Sequence, residues 1–341
     1  MLVLGIETSC DETSAALVVD GKEVLSNVIA TQLDLLKKYG GVVPEIAARR
    51  HTELIGYVIK EAIDFAGKKL ADIDAIAVTA KQGLIGCLLT GVAAAKSLSY
   101  ALKIPIVGVH HIEGHIFASF LSNPDLPMPH ICLTVSGGHT MLVYVRDYCQ
   151  YELLGSTIDD AAGEAFDKIA KFLNLGFPGG PAIDRLAAKG NRNAFRFPRP
   201  LLYADTFDFS FSGLKTAIIS HFKENVLKNE PLPIEDIAAS FQEAVVDVLV
   251  AKTLRAASER GVNAISVTGG VSANRRLRQV FQEKCARAKL MVFFPQLSFC
   301  TDNAAMVAAA GYARLRLGKA DDINLNVLPN APLEVSCAGQ D

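Results

Sequence analysis

The sequence predicts an α/β protein built twice from one kind of unit, and three observations predict it. Two segments far apart in the chain read as strand, polar turn, strand and further strand. Short apolar segments at 75–80, 104–109 and 264–269 alternate with helical patterns, as parallel sheets require. Gly-Gly turns follow buried strands at 137–138 and 269–270.

The first strand is "LVLGIE". A tight polar turn, "TSCDETS", leads into "AALVVD", and "EVLSNVIA" gives the third strand. The design recurs as "HICLTVS", "GGHT", "MLVYVRD" and "YELLGST". Each set is followed by helices, which suggests internal duplication. Helical patterns run through 45–67, 90–102, 159–176, 234–261 and 304–318, several ending in Gly, the expected stop residue. Residues 176–213, rich in Gly, Pro, Arg and Phe, read as an irregular insertion and a candidate binding region. The last residues, "SCAGQD", read as a loose tail.

With 341 residues, half of them hydrophobic, the chain is long enough for two lobes with cores. Lys plus Arg is 34 against 36 for Asp plus Glu, a net charge of −2. A protein that coats nucleic acid through bulk electrostatics is far more basic, so RNA contact must come from local patches or partner subunits. Seven scattered cysteines without a C-x-x-C pair suit a reducing cytoplasm and give no cysteine-zinc site. The N-terminus lacks the pattern of a signal peptide, and the apolar run from Leu84 is too short to span a bilayer. The expectation is a cytoplasmic protein with no membrane partner.

"VHHIEGH" (109–115) places His111 and His115 four apart, a spacing that stacks two imidazoles on one helix face within reach of one ion. The zinc-protease pattern H-E-x-x-H has its acid directly after the first histidine. Here Glu113 stands two places on, about 200° around a helix from His111, which speaks against a protease. The plainer alternative is two polar residues at a strand end. "VSGGHT" and "VTGGVSAN" offer backbone N–H groups unobstructed by Cβ atoms, the second near a helix start, as phosphate sites do. Neither is a Walker A or Rossmann pattern. Two hairpins and a third glycine turn, in that order, resemble the actin, hexokinase and Hsp70 type of nucleotide fold.

"GIETSCDET", "YGGVVPEIAAR", "VHHIEGH", "VSGGHT", "DDAAGEAFDK", "PGGPAID", "DFSFSGLKT", "GGVSANRRLR" and "CTDNAAM" occur in order from residue 5 to 306. They resemble the bacterial TsaD family, which has the duplicated actin-like ATPase (ASKHA) fold. The resemblance implies transfer of a threonylcarbamoyl group from threonylcarbamoyl-AMP to the exocyclic amine of the adenosine 3′ of the anticodon, in tRNAs reading codons that start with A. It implies TsaB and TsaE as partners, a TsaC-type synthase supplying the donor, and an ATP/ADP-type nucleotide. The fold it implies has one lobe of 1–110 plus 303–341 and a second of 111–302.

By the same resemblance His111, His115 and Asp302 are metal ligands. Two imidazoles and a carboxylate suit one divalent ion per subunit, Fe(II) with Zn(II) as the alternative. Thr134, Val135, Ser136, Gly137, Gly138, Asp167, Gly180, Asp184 and Asn274 map onto nucleotide-binding positions. Asp167 stands otherwise as a helix carboxylate facing Lys171, and Asp184 as a helix cap. Asp11 and Glu12, in the first hairpin, are candidates for the base that assists the adenosine amine. His110 and His139 take no ligand role. "GNRNAFRFPRP" and "NRRLR" are candidate RNA patches or, alternatively, solvated basic faces.

The family pattern is broken at "AKQGL" (80–84), where A-G-P-G-L is usual, and at "PNAPL" (329–333), where P-R-W-P-L is usual. These departures lie away from the proposed ligands and bring partner docking or lobe packing into question more than chemistry. A small-molecule kinase of the same fold would use the glycine turns but leave His111, His115 and Asp302 idle. A non-catalytic, nucleotide-switched binding protein is the other alternative, since fold alone does not choose.

Overall fold

The computed structural model describes residues 1–227 and 233–333; the expected tail, with Cys337, lies outside them. Strand β1 (Leu2–Glu7) turns into β2 (Glu12–Val19), and β3 (Glu23–Thr31) follows. Then come α1 (Leu33–Leu36), α2 (Pro44–Phe65), β4 (Ala75–Lys81), α3 (Ile85–Leu102), β5 (Ile106–His110) and α4 (His111–Ser122). The pattern restarts with β6 (His130–Val135), β7 (Thr140–Asp147) and β8 (Gln150–Ser156). It continues through α5 (Ala162–Phe172), α6 (Gly179–Ala187), α7 (Ser212–Leu227), α8 (Ile234–Arg260) and β9 (Ala264–Thr268). Helix α9 (Arg275–Ala288), β10 (Met291–Phe293) and α10 (Ala304–Arg316) close it.

The two sheets have one topology. The first is ordered β3-β2-β1-β4-β5, and the second, read the same way, β8-β7-β6-β9-β10. In each, the first strand pairs antiparallel with its hairpin partner and parallel with a strand from much later in the chain. The hairpins close at Glu7↔Ser14 and at Val135↔Thr140, so the polar turns sit at equivalent ends of the two sheets. The α/β fold is thus duplicated, as the sequence predicts.

One compact unit comprises Met1–Leu126, Asp147–Tyr151 and Pro295–Asp341; the other comprises Pro127–Arg146 and Glu152–Phe294. The lobe limits expected at 110 and 302 therefore differ from the compact units. Helix α4 packs against β5 and α10, and this holds 111–126 with the first unit. In that unit Leu4, Ile6, Leu17, Ile76 and Val78 face Leu88 and Val92 of α3 and Val58 and Ala62 of α2. By length and apolar composition α3 could cross a membrane; one face of it, with Cys87, Leu88, Gly91, Val92 and Ala95, is buried in the unit. In the second unit Phe166 meets Phe241 edge-on at 5.0 Å, within a core shared by α5, α8 and the sheet.

Several limits differ from the reading above. Helix α5 starts at Ala162 rather than 159, because Asp159 turns away to accept N–H bonds from Phe211 and Ser212 at 2.8 and 3.3 Å. Asp160 pairs instead with Lys168 and Lys215. The insertion expected to be irregular contains α6, which follows directly after Pro178.

Candidate metal centre and nucleotide cradle

Strand β5 ends at His110, and α4 begins at His111. The His110 Nδ1 caps the helix by accepting the Ile112 N–H at 3.1 Å, while Nε2 donates to the Ala331 carbonyl at 3.0 Å. Burial pushes its pKa down to about 4, the neutral form this pairing needs. His111 and His115 then share one helical face. Their Nε2 atoms lie 3.6 and 3.2 Å from Asp302 Oδ1. Asp302 is held just before α10 by its neighbour Asn303, whose side chain accepts the Met306 N–H at 3.0 Å. One ligand atom from each of His111, His115 and Asp302 lies within 4.8 Å of the others.

Behind this set, His111 Nδ1 is 3.0 Å from Ser9 Oγ and 3.3 Å from Glu7 Oε2. Glu7 is fully buried and also accepts the Thr79 hydroxyl at 2.6 Å. Burial opposes charge on both partners, yet His111 is pushed up to about 9 by Asp302 and Glu7. Glu7 in turn is held below its ordinary value, its burial outweighed by the bond to His111. The pocket is built to hold positive charge between two carboxylates. Two imidazoles and a carboxylate, one imidazole backed by a buried acid, fit a divalent ion. Sequence reasoning missed Glu7 and Ser9. The available signal was an acid closing an otherwise apolar buried strand, which demands a partner.

Glu113 points elsewhere. It accepts Arg314 Nε at 2.6 Å and the Tyr151 hydroxyl at 3.1 Å, fully buried. It therefore has no place as a water-activating base, and the geometry excludes the protease. Asp11 and Glu12 lie at the hairpin end. Burial, then the charge of Asp302, raises the Asp11 pKa. Burial, then the charge of Asp11, brings Glu12 to about 7, although Glu12 Oε1 accepts the Thr31 hydroxyl at 3.0 Å. Carboxyls raised toward neutrality suit proton transfer.

The second unit gathers the glycine turns at the C-terminal ends of β6 and β9. Thr134 and Val135 are buried in β6 and offer backbone only, whereas nothing stands within 4 Å of where a Cβ would lie on Gly137 or Gly138. The turn is closed by Ser136, whose N–H donates to the His139 carbonyl at 2.8 Å. The start of α5 presses onto it: a Cβ on Gly163 would stand 2.5 Å from the Ser136 carbonyl oxygen and 2.8 Å from Gly137 Cα. Asp167 Oδ1 accepts the N–H of Gly179, first residue of α6, at 2.7 Å, and Gly180 faces open space. Asn274 caps α9, accepting the Leu277 N–H at 2.9 Å and donating to Gln242 at 2.8 Å. Glycine turns beside helix starts place N–H groups and dipoles where phosphate binds. Asp184 is not a cap. It lies inside α6 and accepts Arg275 Nε at 2.7 Å.

Among the described residues, three of the six arginines in the basic patches are paired with acids. Arg199 pairs with Asp247, Arg275 with Asp184 and Arg276 with Glu243. Phe197 is buried and Phe195 packs on the core, both against His221, rather than forming an open stacking platform.

A model of the family described as TsaD, tRNA N6-adenosine threonylcarbamoyltransferase, matches residues 23–309. Proteins of that name from Clostridioides difficile (strain 630) and Clostridium kluyveri are 52% and 51% identical, with 97% of this chain covered in each case and 98% and 97% of theirs. Among solved structures, component A of the Acidaminococcus fermentans (R)-2-hydroxyglutaryl-CoA dehydratase aligns over 93% of this chain and 99% of its own, at 16% identity and a TM-score of 0.56. HypF from T. kodakarensis aligns over 92% of this chain and 48% of its own, at 17% identity and a TM-score of 0.61. These two share the fold, the actin-like ASKHA type. The kinase and switched-binder alternatives give way to the sequence match, and the chain belongs to the TsaD family of enzymes, the tRNA N6-adenosine threonylcarbamoyltransferases.

Proposed function

We propose that the threonylcarbamoyl donor is threonylcarbamoyl-AMP, that the acceptor is the adenosine 3′ of the anticodon in tRNAs reading codons that start with A, and that a metal ion assists the transfer. In the reaction, N6 attacks the carbamoyl carbon, the bond from that carbon to the phosphate oxygen breaks, AMP leaves, and N6 loses a proton. The carboxylate of Asp11 or Glu12 takes that proton, their raised pKa values suiting the task. Backbone N–H groups of Gly137 and Gly138, in the turn that Ser136 closes, with the nearby starts of α5, α6 and α9, hold the phosphate of AMP. Asp167 and Asn274 hold that cradle in shape through Gly179 and Leu277.

His111, His115 and Asp302 would hold the ion, with Ser9 and Glu7 orienting His111. A bound divalent ion, Fe(II) or Zn(II), supplies Lewis acidity toward the donor's oxygens. The convergence of these three ligand atoms is the observation that carries metal assistance. TsaB and TsaE are the proposed partners, and the compartment is the cytoplasm. Large apolar side chains left exposed at helical spacing support docking on α2 and α3: Tyr57 at 76%, Phe65 at 77%, Ile85 at 59%, Leu89 at 50% and Tyr100 at 79%.

The test is incorporation of labelled threonine into tRNA by this protein with TsaB, TsaE, a TsaC-type synthase, ATP and bicarbonate. Label retained in full by His111→Ala would remove the metal from the reaction. No label from the natural chain, with partners that work beside a known TsaD, would remove the proposed donor and partner set.

A further inference from the structure

The acid of "VHHIEGH" has no part in the transfer derived above, yet it is the fully buried charge of α4. Glu113 Oε2 accepts Arg314 Nε at 2.6 Å, and Oε1 accepts the Tyr151 hydroxyl at 3.1 Å. Arg314 is itself buried, in the last turn of α10. The same two helices organise the metal set: α4 carries both imidazoles, and Asp302 stands just before the cap of α10. Next to Glu113, a Cβ on Gly114 would lie 3.3 Å from the Met306 side chain, so α4 rests closely on α10 there. The ligands and the ion pair therefore tie α4 to α10 from different sides of α4.

We infer that the Glu113–Arg314 pair is a clamp that fixes the rotation of α4 about its axis, and with it the geometry of the His111, His115 and Asp302 set. This rests on the metal reading given above. Side chains lie about 5 Å from a helix axis, so a turn of about 10° moves an imidazole nitrogen by ~1 Å. Metal–ligand distances tolerate only about 0.2 Å. Apolar packing is non-directional and permits such a turn, whereas a hydrogen-bonded ion pair resists it. A buried ion pair is weak as a source of stability, because desolvation offsets the attraction. Its directional hold is what it adds, and Glu113 and Arg314 are positioning residues.

The test uses the full chain stripped of metal and titrated with Co(II) and Zn(II) against a competing chelator, with the visible Co(II) bands recorded. Asp302→Ala marks loss of the site. Glu113→Gln keeps the shape of the acid but weakens the bond, and the pair Glu113→Leu with Arg314→Met replaces both charges by apolar groups. The expected result is a ten- to hundredfold weaker affinity in both clamp variants, with altered Co(II) bands. The metal-free double variant is expected to fold but to unfold at a lower temperature than the natural chain, because the buried Tyr151 hydroxyl loses its acceptor. A folded double variant with natural affinity and spectrum would overturn the clamp. Should that variant not fold, unchanged affinity and bands in Glu113→Gln overturn it equally. Natural protein that binds Co(II) no better than Asp302→Ala would remove the metal reading itself, and the clamp with it.

Discussion

The backbone N–H of Gln82 donates to the Leu328 carbonyl at 2.9 Å, and that of Gly83 to the Pro329 carbonyl at 3.0 Å. The two places where the chain departs from its family pattern, "AKQGL" and "PNAPL", are thus neighbours within one unit. Gln82 adopts φ 64°, and a proline at this position has neither that φ nor an N–H to give. Gln82→Pro is expected to cost about 3 kcal/mol or more, and Gln82→Gly to be neutral or stabilising by under ~1 kcal/mol. Urea unfolding of both variants checks this, and a Pro variant as stable as the natural chain would contradict the pairing.

Metal binding is expected at one Fe(II) or Zn(II) per chain. His115→Ala and Asp302→Ala each remove one of three ligands and should weaken it by about 100-fold or more. Ion added at 100 times its dissociation constant should stabilise the natural chain by about 2.7 kcal/mol through mass action. Calorimetric scans with and without chelator read the difference. Equal shifts in the Asp302→Ala protein would place the ion elsewhere.

Gly163→Val puts a Cβ where only 2.5 Å separates it from the Ser136 carbonyl oxygen. The cradle must deform, and AMP affinity should fall at least ~10-fold, about 1.4 kcal/mol. Asp167→Ala releases the start of α6 at Gly179 and should weaken AMP in the same direction. Titration calorimetry with AMP measures both, and zinc affinity serves as the control that the first unit is intact.

Acid should destabilise the protein through His130, whose burial pushes its pKa down to about 4 from an ordinary 6.5. Between those values the unfolded chain takes a proton that the folded chain refuses. The contribution is complete above pH 6.5 and is lost as pH falls toward 4, by up to ~3 kcal/mol. Replacing His130 with Gln should flatten that part of the pH–stability curve. A curve unchanged between pH 4 and 7 would refute the assignment.

What was legible in the chain follows from physical reasons. The paired hairpins show through because strands alternate with polar turns. Helix α4 has ten buried residues, from His111 through Phe120, so it lacks the polar face that reveals a helix. Strand β10 has three residues at a sheet edge, too few to show a period. The four-residue spacing of His111 and His115 was readable, but Asp302 came only through family resemblance, since the approach of α10 to α4 is tertiary. The pairing of the arginines was hidden for the same reason. The partners of Arg199 and Arg276, Asp247 and Glu243, lie on α8, a separate element.

The most direct measurement is single-turnover transfer from threonylcarbamoyl-AMP to tRNA by metal-stripped protein with TsaB and TsaE, before and after Fe(II) or Zn(II) is restored. Transfer should be lost on stripping and return with the ion in the natural chain, but not in His111→Ala. Undiminished transfer by the stripped protein, or by His111→Ala, would contradict a metal-assisted reaction at His111, His115 and Asp302.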